Sequence, residues 1–133
     1  LNKISYEIID SVIMILNKPV FPAQRYIPFI KNAKFEFIEP DRMIYESTSH
    51  YPEIFIKNYG IQKKGCFRML NMDVYPFHYI PSQNRLIYYK LRIKIEYNIT
   101  NEYVKINVPQ YEMHKEGVEK MVVNPEMIDS YRR

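Results

Sequence analysis

Residues 75–97 read YPFHYIPSQNRLIYYKLRIKIEY. From Leu91 the pattern alternates without a lapse. Leu91, Ile93, Ile95 and Tyr97 share one face of an extended chain, while Arg92, Lys94 and Glu96 share the other. Strand side chains point to opposite faces with a period of two, so this stretch predicts a strand with one greasy and one wet side. A sheet buried on one face and solvated on the other is typically antiparallel and packed on a second layer. Just upstream, Pro81-Ser82-Gln83-Asn84 carries turn residues, and Asn84 tolerates positive φ at low cost. Before the turn, CFRMLNMDVYPFHY (66–79) reads as one long strand, which completes a hairpin.

Working outward, the composition agrees with strands. The chain has 133 residues, 47% of them apolar, with 13 Tyr, 7 Phe, no Trp and only 3 Gly. Aromatic and β-branched side chains suit a pleated, half-buried surface. One domain spanning 1–133 is expected, large enough to bury roughly two-thirds of its extended-chain surface. Residues 4–16 mix alternation with an apolar run and predict one or two strands. NKPVFP (17–22) breaks regular structure, because Pro19 and Pro22 fix φ and push their predecessors toward extended backbone. QRYIPFI (24–30) reads as an edge strand in which Pro28 need not donate. AKFEFIEPDRMIYES (33–47) reads as two strands around a Glu39-Pro40-Asp41 turn. EIFIKNYGIQ (53–62) predicts a short strand that turns at Gly60, and EYVKINV (102–108) a further strand. The region EGVEKMVVNPEMIDSYRR (116–133) is expected to hold one short helix. The predicted fold is an all-β antiparallel sandwich of two packed sheets, with at most one short helix near the C-terminus.

The chemistry-bearing residues form few constellations. Net charge is +4, from 19 basic and 15 acidic residues, and the signs are interspersed. Basic and aromatic residues interleave in RLIYYKLRIKIEY, but between Arg92 and Glu96 no aromatic falls on the face that Arg92, Lys94 and Glu96 share, and Glu96 dilutes the charge, so no nucleic-acid partner is expected. The longest apolar run, Val12–Leu16, is far shorter than a membrane span. His50, His78 and His114 lack metal-ligand spacing, and Cys66 stands alone, so neither a metal nor a disulfide is expected. Cys66 lies beside Lys63 and Lys64, cations that would favour a thiolate, but it reads better as a small buried hydrophobe within a strand. Glu36, Glu39 and Asp41 cluster in sequence only, since Glu36 alternates with Lys34 on a wet face. No glycine-rich phosphate cradle and no cofactor is expected. Asn98-Ile99-Thr100 is a glycosylation sequon in form.

The hairpin also carries a family likeness. Arg68 precedes the frame P-x-x-Y-x-P-x-x-x-x-L-x-x-Y formed by Pro76, Tyr79, Pro81, Leu86 and Tyr89. This resembles the prodomain of gingipain-type cysteine peptidases. NKPVFP is similar to that family's G-x-P-x-L-P segment, with Asn17 in place of glycine, and QRYIPFI and YPEIF follow in family order. The likeness spans roughly residues 15–97 of the sequence. It implies a β-sandwich without catalytic residues that assists folding of a cognate cysteine peptidase catalytic domain and covers its active-site cleft until cleaved. It further implies a secreted or cell-surface setting, with this chain a piece of a longer precursor. In that family a basic prodomain side chain enters the specificity pocket; Lys63 and Lys64 are the inhibitory-contact candidates by chemistry, and Arg132 and Arg133 the processing candidates. A different class of function, a stand-alone adhesion or carbohydrate-binding module, would show a row of exposed aromatics.

Overall fold

The computed structural model describes residues 3–27, 29, 31, 33–98 and 108–132. Strands β1 (Lys3–Ile15), β2 (Ile56–Lys64), β3 (Phe67–Val74), β4 (Phe77–Ile80) and β5 (Arg85–Glu96) form two antiparallel sheets, ordered β1-β5-β4 and β2-β3. The all-β class therefore holds. Helix α1 (Arg42–Tyr45) is a single turn; among the described residues, α2 (Val108–Glu119) is the one longer α-helix, near the C-terminus as expected. It begins earlier than the sequence suggested, with Pro109 in its first turn, where a missing N–H costs nothing. The chain divides into two compact units: Ile56–Val74 with the described residues from Tyr97 onward, and the described residues up to Phe55 with Tyr75–Glu96.

In the second unit β5 is the central strand, and its alternation sets the sheet. Its odd-numbered residues pair with Ile4, Tyr6, Ile8, Ser11, Ile13 and Ile15 of β1; its even-numbered ones pair with Lys3, Ser5, Glu7, Asp10, Val12 and Met14. The register puts Lys3 opposite Glu96, Glu7 opposite Arg92 and Asp10 opposite Lys90. Opposite charges facing across strands favour this register over a one-residue slip, which would also turn the greasy face to water. A bulge between Ile8 and Asp10 takes up Ile9 and inverts the parity of β1. That inversion is why residues 4–16 read as alternation followed by an apolar run. β4 flanks β5 on the other side and contributes the buried His78, Tyr79 and Ile80, which join Ile87 in the core of this unit.

In the first unit the β2–β3 hairpin closes through Gly65 and Cys66, and Gly65 takes φ +60. A positive φ at the first residue of a two-residue loop is the glycine requirement of a type II′ turn. Phe67 is 1% exposed and meets Tyr111 of α2 at 5.3 Å between ring centroids, with Val118 and Ile128 completing the core. Burying a side chain of this kind is worth about 1.5–3 kcal/mol. A 3-10 segment (Pro125–Arg132) folds back on α2, where Lys115 bonds Asp129 at 3.3 Å.

Several expectations fail for identifiable reasons. Residues 33–47 hold no strand: Asp41 accepts a bond from the Met43 N–H at 2.8 Å and caps α1, so the turn leads into a helix. Among the described residues of 24–30 none is in a strand; instead the Gln24 side-chain amide brackets Ile38, accepting from its N–H at 2.8 Å and donating to its carbonyl at 3.2 Å. One amide there does the work of a neighbouring strand. Pro28 lies outside the described residues, as do 102–107 of the expected C-terminal strand. Gly60 does not turn the chain; at φ +83 it sits in a β2 bulge and the strand runs on to Lys64. The long strand 66–79 is cut at Tyr75-Pro76 into β3 and β4, which belong to different sheets, because Pro76 has no N–H for a ladder.

Candidate functional site

The expected contact residues sit at the tip of the β2–β3 hairpin, and the fold separates them. In a strand neighbours point to opposite faces. Lys63 is exposed and lies directly opposite Arg68, so two cations stand side by side on one face of the tip. Directly opposed side chains have Cβ atoms roughly 5 Å apart, and like charges so placed repel. Lys63 forms no ion pair among the described residues. Lys64 points the other way and is half-buried, its Nζ lying 3.5 Å from Met121 Sδ and against the backbone at Gly117. Its stem thus lies on α2 while its charge stays at the rim. The candidate contact pair that results is Lys63 with Arg68. Sequence reasoning passed over Arg68 as a contact because the signal is not adjacency but the cross-strand register.

The tip is held from behind. The ring of His114 sits over Gly65 so closely that a Cβ there would fall 2.4 Å from Cδ2. Cys66 is half-buried against the Phe67 cluster. Of the processing candidates, Arg132 ends the 3-10 segment and Arg133 lies outside the described residues.

In the second unit the Pro-Tyr-Pro frame resolves into a hydrogen-bonded node. Asn84 takes φ 48, as the turn requires. The Tyr79 hydroxyl donates to Asn84 Oδ1 at 2.8 Å and accepts from the Val20 N–H at 3.3 Å. Asn84 Nδ2 in turn donates to the Leu16 carbonyl, and the Tyr45 hydroxyl donates to the Val20 carbonyl at 2.6 Å. Burial raises the Tyr45 pKa, with Tyr79 and Tyr51 adding to it. Tyr79 therefore fastens NKPVFP to the hairpin at Val20, and Asn84 fastens Leu16 just before it. Tyr89 bonds less closely, its hydroxyl 3.5 Å from His50 Nδ1.

The histidines also find places. His78 is 1% exposed, stacked on Phe55 at 4.2 Å and edge-on to Tyr89 and His50. No group of three or more metal-ligating side chains occurs among the described residues. Of the carboxylates singled out, Glu36 pairs with Arg25 at 4.0 Å and Asp41 caps α1, so they do not converge. Asn98 is exposed, while the rest of the sequon lies outside the described residues. Among the described residues no helix is long and apolar enough to cross a membrane.

Comparison with known proteins follows the same line. No protein-family model and no curated protein matches the chain. Among solved structures, the chain is similar to one from the complex of Porphyromonas gingivalis RgpB pro- and mature domains, with 12% identity and a TM-score of 0.58. The match covers 93% of this chain and 63% of that one. This chain thus shares its fold with a chain of that complex of pro- and mature domains and spans about 63% of that chain's length.

Proposed function

We propose that this chain is a non-catalytic prodomain-type module that assists folding of a gingipain-like cysteine peptidase catalytic domain and restrains it by covering its cleft. The observation that carries the reading is the fold, shared over 93% of the chain with a structure whose two parts are a pro- and a mature domain. The Pro-Tyr-Pro frame, built as a rigid node around Tyr79 and Asn84, supports it as scaffold rather than site. In this reading the exposed end of the β2–β3 hairpin makes the inhibitory contact, with Lys63 and Arg68 presenting charge and Lys64 bracing the tip on α2. Arg132 and Arg133 are then where processing separates the module from its peptidase, in a secreted or cell-surface setting.

Co-expression tests the proposal. A gingipain-like catalytic domain is produced alone, fused to this chain, and with it in trans. Soluble, latent peptidase that depends on the chain is expected. A peptidase that folds and stays latent without it defeats the idea.

An adhesion or carbohydrate-binding module is the second reading, favoured by the exposed rings of Phe21, Phe37 and Phe35, which follow one another at 6.3 and 6.4 Å. Their planes are tilted by 65° and 56°, which is a poor platform for flat sugar rings. A glycan array without binders removes it.

A further inference from the structure

Residues 50–55 lie along the edge of β4 that β5 leaves unpaired. Tyr51 and Tyr79 exchange two backbone hydrogen bonds of 2.8 Å, and the Tyr75 N–H donates to the Phe55 carbonyl at 2.9 Å. Between these fastenings sits a box of rings. His78 projects from β4 and is 1% exposed; Phe55 stacks on it at 4.2 Å and 29°, Tyr89 of β5 meets it edge-on at 5.2 Å, and His50 closes the box at 6.0 Å. Tyr6 of β1 backs Phe55 at 5.0 Å. The Nε2 of His78 lies 3.1 Å from the Tyr75 carbonyl, which a neutral ring satisfies by donating.

The groups facing the ring are therefore an apolar phenylalanine, one tyrosine, a peptide carbonyl and a second imidazole. None supplies a negative charge near neutral pH. A second proton on His78 would have to sit in an aromatic box beside another imidazole, whose charge opposes it. We propose that the His50–His78 pair is an acid-released latch: protonation expels His78 from its stack and frees residues 50–55 from the edge of β4. The latch belongs to the second unit alone and stands whether or not the chain restrains a peptidase.

The direction of the effect follows from linkage. Burial lowers the His78 pKa below 6.5; the Tyr75 carbonyl opposes this and His50 adds to it. Above 6.5 the closed form keeps its full advantage, which is lost as pH falls from there toward the depressed value.

Amide exchange measured by NMR on the whole chain between pH 7.5 and 5, corrected for intrinsic pH dependence, tests it. The Tyr51, Tyr75 and Tyr79 amides are expected to lose protection by roughly fivefold or more on acidification, while amides between β1 and β5 change little. His78→Phe keeps a ring in the stack without a titrating group and should hold protection constant. His50→Gln removes one cause of the depressed pKa and should make the loss smaller. Unchanged protection in the wild type, or the same loss in His78→Phe, overturns the proposal. Should His78→Phe fail to fold, the ring titration of wild-type His78 decides: a midpoint below 6.5 that tracks the amide loss supports the latch, and one at or above 6.5 overturns it.

Discussion

Replacing Tyr79 by Phe removes one oxygen atom and tests the whole corner. The ring stays, so packing at this 8% exposed position is kept. Two bonds disappear, the 2.8 Å donation to Asn84 and the 3.3 Å acceptance from Val20. Each is part-buried, and a net contribution of about 0.5–1.5 kcal/mol apiece gives a loss of about 1–3 kcal/mol. Urea unfolding at 25 °C, followed by circular dichroism, should show a lower midpoint at an unchanged slope. Tyr89→Phe is the internal control, because its 3.5 Å approach to His50 lies beyond good hydrogen-bond geometry and should cost less than about 0.5 kcal/mol. In an Asn84→Gly background, where φ 48 is still accessible, Tyr79→Phe should cost distinctly less, since the two groups share a bond. Equal losses for Tyr79→Phe and Tyr89→Phe, or strict additivity with Asn84→Gly, would refute the node as the element that ties residues 17–22 to the hairpin.

Three other outcomes are expected. Gly65→Ala combines a φ of +60 with a Cβ placed 2.4 Å from His114, and should destabilise more than Gly60→Ala, where φ is +83 but the space is open; paired denaturation curves compare them, the second losing about 1 kcal/mol. Phe67→Ala empties the centre of the Tyr111–Val118–Ile128 cluster and should cost about 3–5 kcal/mol, with loss of α2 helicity read by far-ultraviolet dichroism. Lys63→Ala and Arg68→Ala should leave stability within about 0.5 kcal/mol, as exposed surface changes do, while weakening inhibition of a gingipain-like peptidase in a titration. Unchanged inhibition in the double variant would remove the tip from the contact.

The sheet was legible where local pattern and tertiary pairing coincide. Strand β5 announced itself because its sequence alternates strictly from Leu91 onward, and Asn84 was readable as a positive-φ residue from its chemistry. Elements failed to read where a single side chain decided the backbone. Asp41 converts a strand-like run into a helical turn, and Gln24 holds the backbone at Ile38 where no strand forms. Gly60 misled because a bulge and a turn make the same demand on φ, and only the partner strand tells them apart. The candidate site was half-legible. Lys63 and Lys64 are neighbours in sequence, yet pleating sends them to opposite faces and gives Lys63 a partner, Arg68, that only hairpin register reveals. His78 was hidden for a related reason: its companions His50, Phe55 and Tyr89 come from two separate stretches of chain.

The outer strand of the three-stranded sheet has a consequence of its own. Its last third, Ser11–Ile15, carries no charge and no proline, and Val12, Ile13 and Ile15 are 53%, 56% and 76% accessible. Natural sheets usually guard such a margin with a lysine, a proline or a kink, and here the kink at Ile9 comes too early to shield it. A concentrated solution of the bare polypeptide should accordingly self-associate through this ribbon, and a lysine at Ile13 should keep it dispersed.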